Sequence, residues 1–257
     1  MKEVRGLNVV ITGASAGIGE ALALQLTDGG ANVVLVARRE GALREVAERC
    51  GDRATPIVAD MTRREEVQRV VRESIARLGH VDVWVNNVGR GITRMPSELT
   101  DDDVDDMMRV NVKSALYGMQ EILPHFRERG RGQVVNVSSM LGRVPSAIPR
   151  SAYNGAKHFL NALTANIRDE LRQSAPGIEV TLVSPGVVRT GFGLNALHGG
   201  EDSHKLPYSQ SAEEVAAVIV WAIRTGKPDV YTRAGARQRI VDYFSSVGED
   251  PPTDMGG

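Results

Sequence analysis

Short runs of β-branched and aliphatic residues alternate along this chain with longer stretches in which apolar positions recur every three or four residues. The runs fall at Val9 to Ile11, Val33 to Val36, Ala54 to Val58, Val81 to Val85, Gln133 to Val137 and Ile178 to Val183. They lack the apolar and polar alternation of a half-exposed strand, which predicts strands covered on both faces. The amphipathic stretches lie at 17–28, 41–50, 63–78, 101–127 and 151–174. Strand followed by helix, repeated, calls for right-handed crossovers and predicts an α/β fold with a doubly wound, mostly parallel sheet. A helix at 212–225, an extended piece from Asp229 to Tyr231 and a last amphipathic stretch at 237–246 complete a seven-stranded sheet of the Rossmann type.

Local signals sharpen the boundaries. Gly29-Gly30 and Gly79 stand where helices should close, and Thr62 and Thr100 where N-caps would help. After Val183 the periodicity fades. Residues 186–210 hold five glycines, His198, His204 and Pro207, and a long loop of this kind in a compact domain reads as a lid or substrate segment. No composition break divides the chain, so residues 1–248 read as one domain. Residues 249–257, with Pro251-Pro252 and Gly256-Gly257, read as a flexible tail.

Composition narrows the function. A formal net charge of −1 gives no basic field for nucleic acid. The lone Cys50 allows no intrachain disulfide and no cysteine cluster, which points to a cytoplasmic protein. The first apolar run is too short for a secretory leader, and no stretch reaches the ~18 apolar residues of a membrane span. The histidines lack ligand spacing, so no metal is expected. The run Asp101-Asp102-Asp103 suits a helix N-terminus and reads as a solvated face. Trp84, inside a strand, reads as core.

Two patterns carry chemistry. Thr12-Gly13-Ala14-Ser15-Ala16-Gly17-Ile18-Gly19 lies between the first strand and the first helix. A glycine-rich turn there leaves backbone N–H groups open at the positive end of the helix dipole, where a pyrophosphate can dock. Tyr153 and Lys157 are four residues apart on a predicted helix, so phenol and ammonium share a face. An ammonium about 4–5 Å away, at an effective dielectric of about 20, would bring a phenol from about 10 to roughly 7–8, into the range of a working base. Ser138 and Ser139 end the strand from Gln133, at the sheet edge where open α/β folds bind ligands.

Together with Asp60, Asn86-Asn87-Val88-Gly89, Asn111 and Pro185-Gly186, these motifs stand in an order that resembles the short-chain dehydrogenase/reductase family across roughly residues 5 to 190. The resemblance implies an oxidoreductase in which Tyr153 exchanges a proton with a carbonyl or hydroxyl. Lys157 would depress the tyrosine pKa and bond the nicotinamide ribose, and Ser139 would hold the reacting oxygen. Asn111 would hold a water in a relay toward Lys157, or simply bond its own helix. For the cofactor it implies Gly13, Ser15, Ala16, Gly17, Ile18, Gly19, Met61, Asn87, Val88, Gly89, Pro185, Gly186, Val188 and Thr190. Asp60 would contact the adenine or cap the next helix. Two departures from the family pattern are Val88 in place of alanine and a Ser139 to Tyr153 spacing one residue longer than usual.

At the end of the second predicted strand Val36-Ala37-Arg38-Arg39 offers two cations where NAD-dependent relatives carry an acid. A guanidinium paired with a 2′-phosphate is worth roughly 1.5–3 kcal/mol. The expectation is NADP(H) over NAD(H), with Arg38 as main contact, Arg39 beside it and Ser15 helping. Met140, Leu141, Val144, Val187, Phe192 and Leu194 would form an apolar substrate pocket suited to a ketone, steroid-like or acyl compound, and Arg143 and Arg150 flank it. A narrower reading is a 3-oxoacyl thioester reductase, although the C-terminal segment of such enzymes is missing. A non-catalytic NADP-binding redox sensor is the reading of another class. Family habit implies a homodimer or homotetramer, joined through the helices near 101–127 and 151–174.

Overall fold

Valine, leucine and isoleucine occupy the central strands so fully that β1 (Asn8–Thr12) and β4 (Val83–Asn86) are buried at every position. The computed structural model describes residues 2–249. The other strands are β2 (Asn32–Ala37), β3 (Ala54–Val58), β5 (Gly132–Val137), β6 (Ile178–Ser184) and β7 (Asp229–Tyr231). All seven pair parallel in the order β3-β2-β1-β4-β5-β6-β7. The strands carry helices on both faces. Alternate residues of β1 point to opposite layers, as a parallel strand requires. Val9 and Ile11 pack toward α1 (Gly17–Asp28), α2 (Glu40–Cys50) and α7 (Ala212–Thr225). Val10 packs toward α3 (Arg64–Leu78), α5 (Ser114–Arg129) and α6 (Ser151–Ser174). Two further helices, α4 (Asp101–Met108) and α8 (Ala236–Ser245), lie outside these layers.

After β1 the chain winds outward through β2 and β3, then crosses back to β4 on the other side of β1. That reversal opens a crevice at the carboxyl ends of β1 and β4, where doubly wound sheets bind ligands. Among the described residues no helix is long and apolar enough to cross a membrane.

Several local expectations need correction. β4 begins at Val83 rather than Val81, because helix side chains take the Val81 backbone. Its N–H donates to His125 Nε2 at 3.1 Å, and its carbonyl accepts from Arg129. Thr62 does not cap α3. Its N–H and hydroxyl both donate to Asp60 Oδ1, at 3.0 and 2.9 Å, and the helix starts two residues later. Thr100 does cap α4, in a reciprocal box with Asp103. The 101–127 stretch is not one helix: a π turn, Arg109–Lys113, separates α4 from α5.

Asp103 also leaves the solvated face assigned to its run. It is buried, and its carboxylate accepts from Arg94 Nη1 at 3.0 Å, the Thr100 N–H at 3.1 Å and His198 Nε2 at 2.7 Å. Hydrogen bonding, from His198 first and then the Thr100 backbone, holds this carboxyl down at about 2. The 186–210 segment is mostly irregular, tied down by single bridges between Ile92 and Leu197 and between Val188 and Gln210. Of the tail assigned to 249–257, residues 250–257 lie outside the described residues.

Candidate active site

The turn after β1 is compressed from three sides. Gly13 and Gly17 adopt φ of +69° and +59°, the left-handed region that side chains rarely enter. A Cβ at Gly19 would lie 2.3 Å from the Gly13 carbonyl oxygen, and one at Gly17 would lie 2.9 Å from Thr190 Cγ2. Asn87 braces the turn from β4, its Nδ2 donating to the Thr12 and Gly13 carbonyls at 3.2 Å each. The Asn87 N–H donates to Thr12 Oγ1 at 3.1 Å. No side chain caps α1 at Ala16, which leaves the first-turn amides open to an anion. A cradle that any Cβ would fill, facing uncapped helix amides, fits a dinucleotide.

Arg38 and Arg39 are both exposed at the end of β2. Arg39 is the one that reaches the turn, its Nη2 donating to Ser15 Oγ at 3.3 Å. The nearest following carboxylate, Glu40, is engaged by Arg44 at 2.6 Å on the next turn. Past β3, Asp60 is occupied locally. Its carboxylate holds Thr62 and its N–H donates to Glu66 at 2.7 Å, while Met61 is buried beside it.

At the other side of the crevice, β5 and the N-terminal turns of α6 bring Ser139, Tyr153 and Lys157 together. All three are buried. The Ser139 side chain is close enough to the Tyr153 phenol to act on its pKa, and its hydroxyl oxygen accepts from the Leu141 N–H at 3.1 Å. Lys157 Nζ lies 5.7 Å from the tyrosine ring centre and donates to the Val137 carbonyl at 3.1 Å. Asn111, in the π turn, clamps the loop after β4. Its Oδ1 accepts from the Arg90 N–H at 3.1 Å and its Nδ2 donates to the Arg90 carbonyl at 3.0 Å. Gly89 joins the groups: a Cβ there would lie 3.2 Å from Asn111 Oδ1 and 3.7 Å from Lys157 Nζ. The second reading of Asn111 is also met in part, since Nδ2 donates to Met107 O at 3.1 Å.

The electrostatics differ in sign from the sequence-based expectation. Burial pushes the Tyr153 phenol up to about 12, against opposing pulls from the Ser139 hydrogen bond and the Arg150 charge. Burial also brings the Lys157 ammonium down to about 8. Taking a phenolate out of water outweighs a cation that is itself desolvated and turned toward a carbonyl.

Leu141 and Phe192 join the apolar cluster that includes Tyr153, and the Phe192 ring meets the phenol edge-on at 5.6 Å. Met140 follows Ser139 in a short turn, its N–H donating to the Pro185 carbonyl at 2.8 Å. Val187 and Val188 follow Pro185 and Gly186 into the segment that pairs with Gln210. Leu194, expected at the substrate, is 55% exposed. Arg143 is bound bidentately by Asp229 at 2.6 Å, whereas Arg150 Nη1 is buried with no partner.

Sequence reading missed the polar scaffold beneath these groups. Asn161 accepts from the Ser138 hydroxyl and donates to the Gly142 carbonyl, fixing the turn that carries Ser139 onto α6. Asn136 joins Asn86 at 2.9 Å and Thr164 at 2.9 Å across the sheet. Tyr153, Lys157 and Asn161 repeat every four residues on one helix face, a signal that could have found the third.

A family model for short chain dehydrogenases matches residues 7–198. An uncharacterized oxidoreductase of Staphylococcus epidermidis is 31% identical over 223 residues, which cover 87% of this chain and 93% of that protein. The Bacillus subtilis oxidoreductase YxnA is 32% identical over 244 residues, 92% of this chain and 68% of its own length. Among solved structures, a short-chain dehydrogenase from Streptomyces avermitilis is 32% identical with a TM-score of 0.82, covering 94% of this chain and 93% of its own. A short-chain dehydrogenase from Burkholderia phymatum, solved in complex with NAD, shares the fold at 24% identity, with a TM-score of 0.86 and coverage of 98% and 99%. With three quarters of its length matched by the family model and relatives above 30% identity across nearly all of it, this chain belongs to the short-chain dehydrogenase family of oxidoreductases.

Proposed function

We propose that this protein moves hydride between a nicotinamide dinucleotide, NADP(H) in preference to NAD(H), and a carbonyl or secondary alcohol, with Tyr153 exchanging the proton. The observation that carries the reading is the burial of Ser139, Tyr153 and Lys157 together between the end of β5 and the start of α6, with the glycine cradle across the crevice. When bound, the dinucleotide supplies or accepts the hydride. Gly13, Ser15, Ala16, Gly17, Ile18 and Gly19 would hold its pyrophosphate, and Asp60 and Met61 its adenine. Asn87, Val88, Gly89, Pro185, Gly186, Val188 and Thr190 would flank the nicotinamide half. Arg38 and Arg39 would pair with a 2′-phosphate, since Glu40 is held away by Arg44.

In the reducing direction Tyr153 donates its proton to the carbonyl oxygen, and Ser139 donates a hydrogen bond to the same oxygen. Burial keeps the phenol protonated near neutrality, the form that can donate, but holds it well above the range in which proton transfer is most efficient. Lys157 offsets the phenolate charge left behind, and Asn111 holds the Gly89 and Arg90 loop against Lys157. Cytoplasmic action suits a chain with one cysteine. Assembly into a homodimer or homotetramer through α6 suits the exposure of Ile148 and Phe159. A monomer mass by light scattering would remove that assembly.

The test follows NADPH and NADH absorbance across ketones, aldehydes, diketones and 3-oxoacyl thioesters, with Tyr153→Phe beside the wild type and cofactor binding checked in both. Turnover that favours NADPH and falls about 10²–10⁴-fold in Tyr153→Phe is expected. Cofactor binding without turnover of any carbonyl, or undiminished turnover by Tyr153→Phe, would defeat the reading.

A further inference from the structure

Arg150 ends the short turn Ile148–Arg150 that leads into α6, three residues before Tyr153. Its Nη1 is buried and makes no hydrogen bond. That nitrogen lies between the loop after β4 and the 186–210 segment. A Cβ on Gly91 would be 2.7 Å from it, with Phe192 Cε1 at 3.0 Å and Ala196 Cβ at 3.4 Å from the same point. Gly91 belongs to the loop after β4 that carries Asn87 and Gly89, and Phe192 is the ring set edge-on to Tyr153. Glycine at 91 therefore makes room for a guanidinium between loop and segment, beside the reacting phenol.

Three other arginines at this end of the crevice are engaged. Arg143 is bound to both oxygens of Asp229, Arg94 to Asp103, and Arg90 to Asp106. A buried guanidinium nitrogen with no acceptor is unfavourable, and the acceptor that best matches its planar fork is a carboxylate. The apolar surroundings from Phe192 and Ala196 strengthen such a pair.

We infer that Arg150 anchors a carboxylate on the substrate, so that the compound reduced here is an oxoacid whose carboxylate lies within a few bonds of its reactive carbonyl. This rests on the carbonyl-reductase reading given above. In the reaction the carbonyl carbon gains a hydride from the reduced dinucleotide and the oxygen gains the Tyr153 proton. The product is the hydroxy acid, and the carboxylate contributes only its ion pair with Arg150.

The experiment compares kcat/KM for matched pairs, 2-oxobutanoate and 3-oxobutanoate against their methyl esters, with 2-butanone as the neutral reference. Wild type, Arg150→Met and Arg150→Lys are assayed after cofactor binding has been verified. An acid-to-ester ratio of about 10–100 is expected in the wild type, falling to about one in Arg150→Met and lying between in Arg150→Lys. A wild-type ratio near one would overturn the assignment with no variant needed. A high ratio that survives in Arg150→Met would overturn it too. Turnover of 2-butanone and the esters without an acid preference would sink the Arg150 anchor alone, whereas no turnover of any carbonyl would also defeat the reductase reading.

Discussion

Arg38 and Arg39 stand side by side at the end of β2 and differ in what they reach. Arg39 donates to Ser15, whereas the Arg38 side chain makes no hydrogen bond within the described residues. A free guanidinium at that edge is the better candidate for a 2′-phosphate. Arg38→Ala should therefore weaken NADPH binding by about 10–100-fold while changing NADH binding much less. Fluorescence titration with both cofactors checks this, and equal losses would take Arg38 out of the phosphate contact. The same scale shows what the sequence could carry. The spacing of Ser139, Tyr153 and Lys157 was legible, because helix and strand periods turn spacing into shared faces. The direction of the Tyr153 pKa was not, because it depends on burial and on the Val137 carbonyl that holds Lys157.

At the scale of elements, the 186–210 segment is fastened to the first turn of α4 by Asp103, which receives His198 from one side and Arg94 from the other. The Asp103 carboxyl titrates at about 2 in the folded chain, against an ordinary value near 3.9 when unfolded. A depressed carboxyl contributes stability that is fully present above about pH 4 and is lost as the pH falls through about 2. Asp103→Asn should lower the thermal midpoint by a few degrees at pH 7, and its distance from wild type should shrink as the pH falls below 4. Melting curves from pH 7 to pH 3 test this, and a pH-independent gap would show that the carboxylate charge is not what fastens the 186–210 segment. In the sequence Asp103 differs from Asp101 and Asp102 only in standing three residues after Thr100, at the reciprocal position of a capping box, and nothing there foretells its burial. The difference comes from His198, 95 residues away, and only the folded chain brings it near. The strands were legible for the opposite reason, since burial on both faces leaves a local run of valine and isoleucine.

At the scale of the whole molecule, the crossover from β3 to β4 divides the labour. The glycine cradle sits on one side of the switch and the Ser139, Tyr153 and Lys157 group on the other, joined by Asn87 and Gly89 at the end of β4. The repeated strand and helix pattern was enough to anticipate this plan, because handed crossovers leave few alternatives. The fading periodicity after Val183 marked 186–210 as irregular too, but not where its two bridges would fall, since they pair residues with no shared periodicity. The π turn Arg109–Lys113 makes the assembly sensitive to length as well as to composition. A π turn is in effect one residue added to an α-helix. Removing Val110 would let α4 run straight into α5, at the cost of turning α4 by about 100° and drawing it along its axis by about 1.5 Å. Asn111 would then leave the Arg90 loop and Asp103 would leave His198 together, so turnover should vanish while far-UV circular dichroism scarcely changes. Over time such a chain can accept many replacements along this helix but no shortening of it, and lineages that kept the chemistry would share its length here more faithfully than its residues.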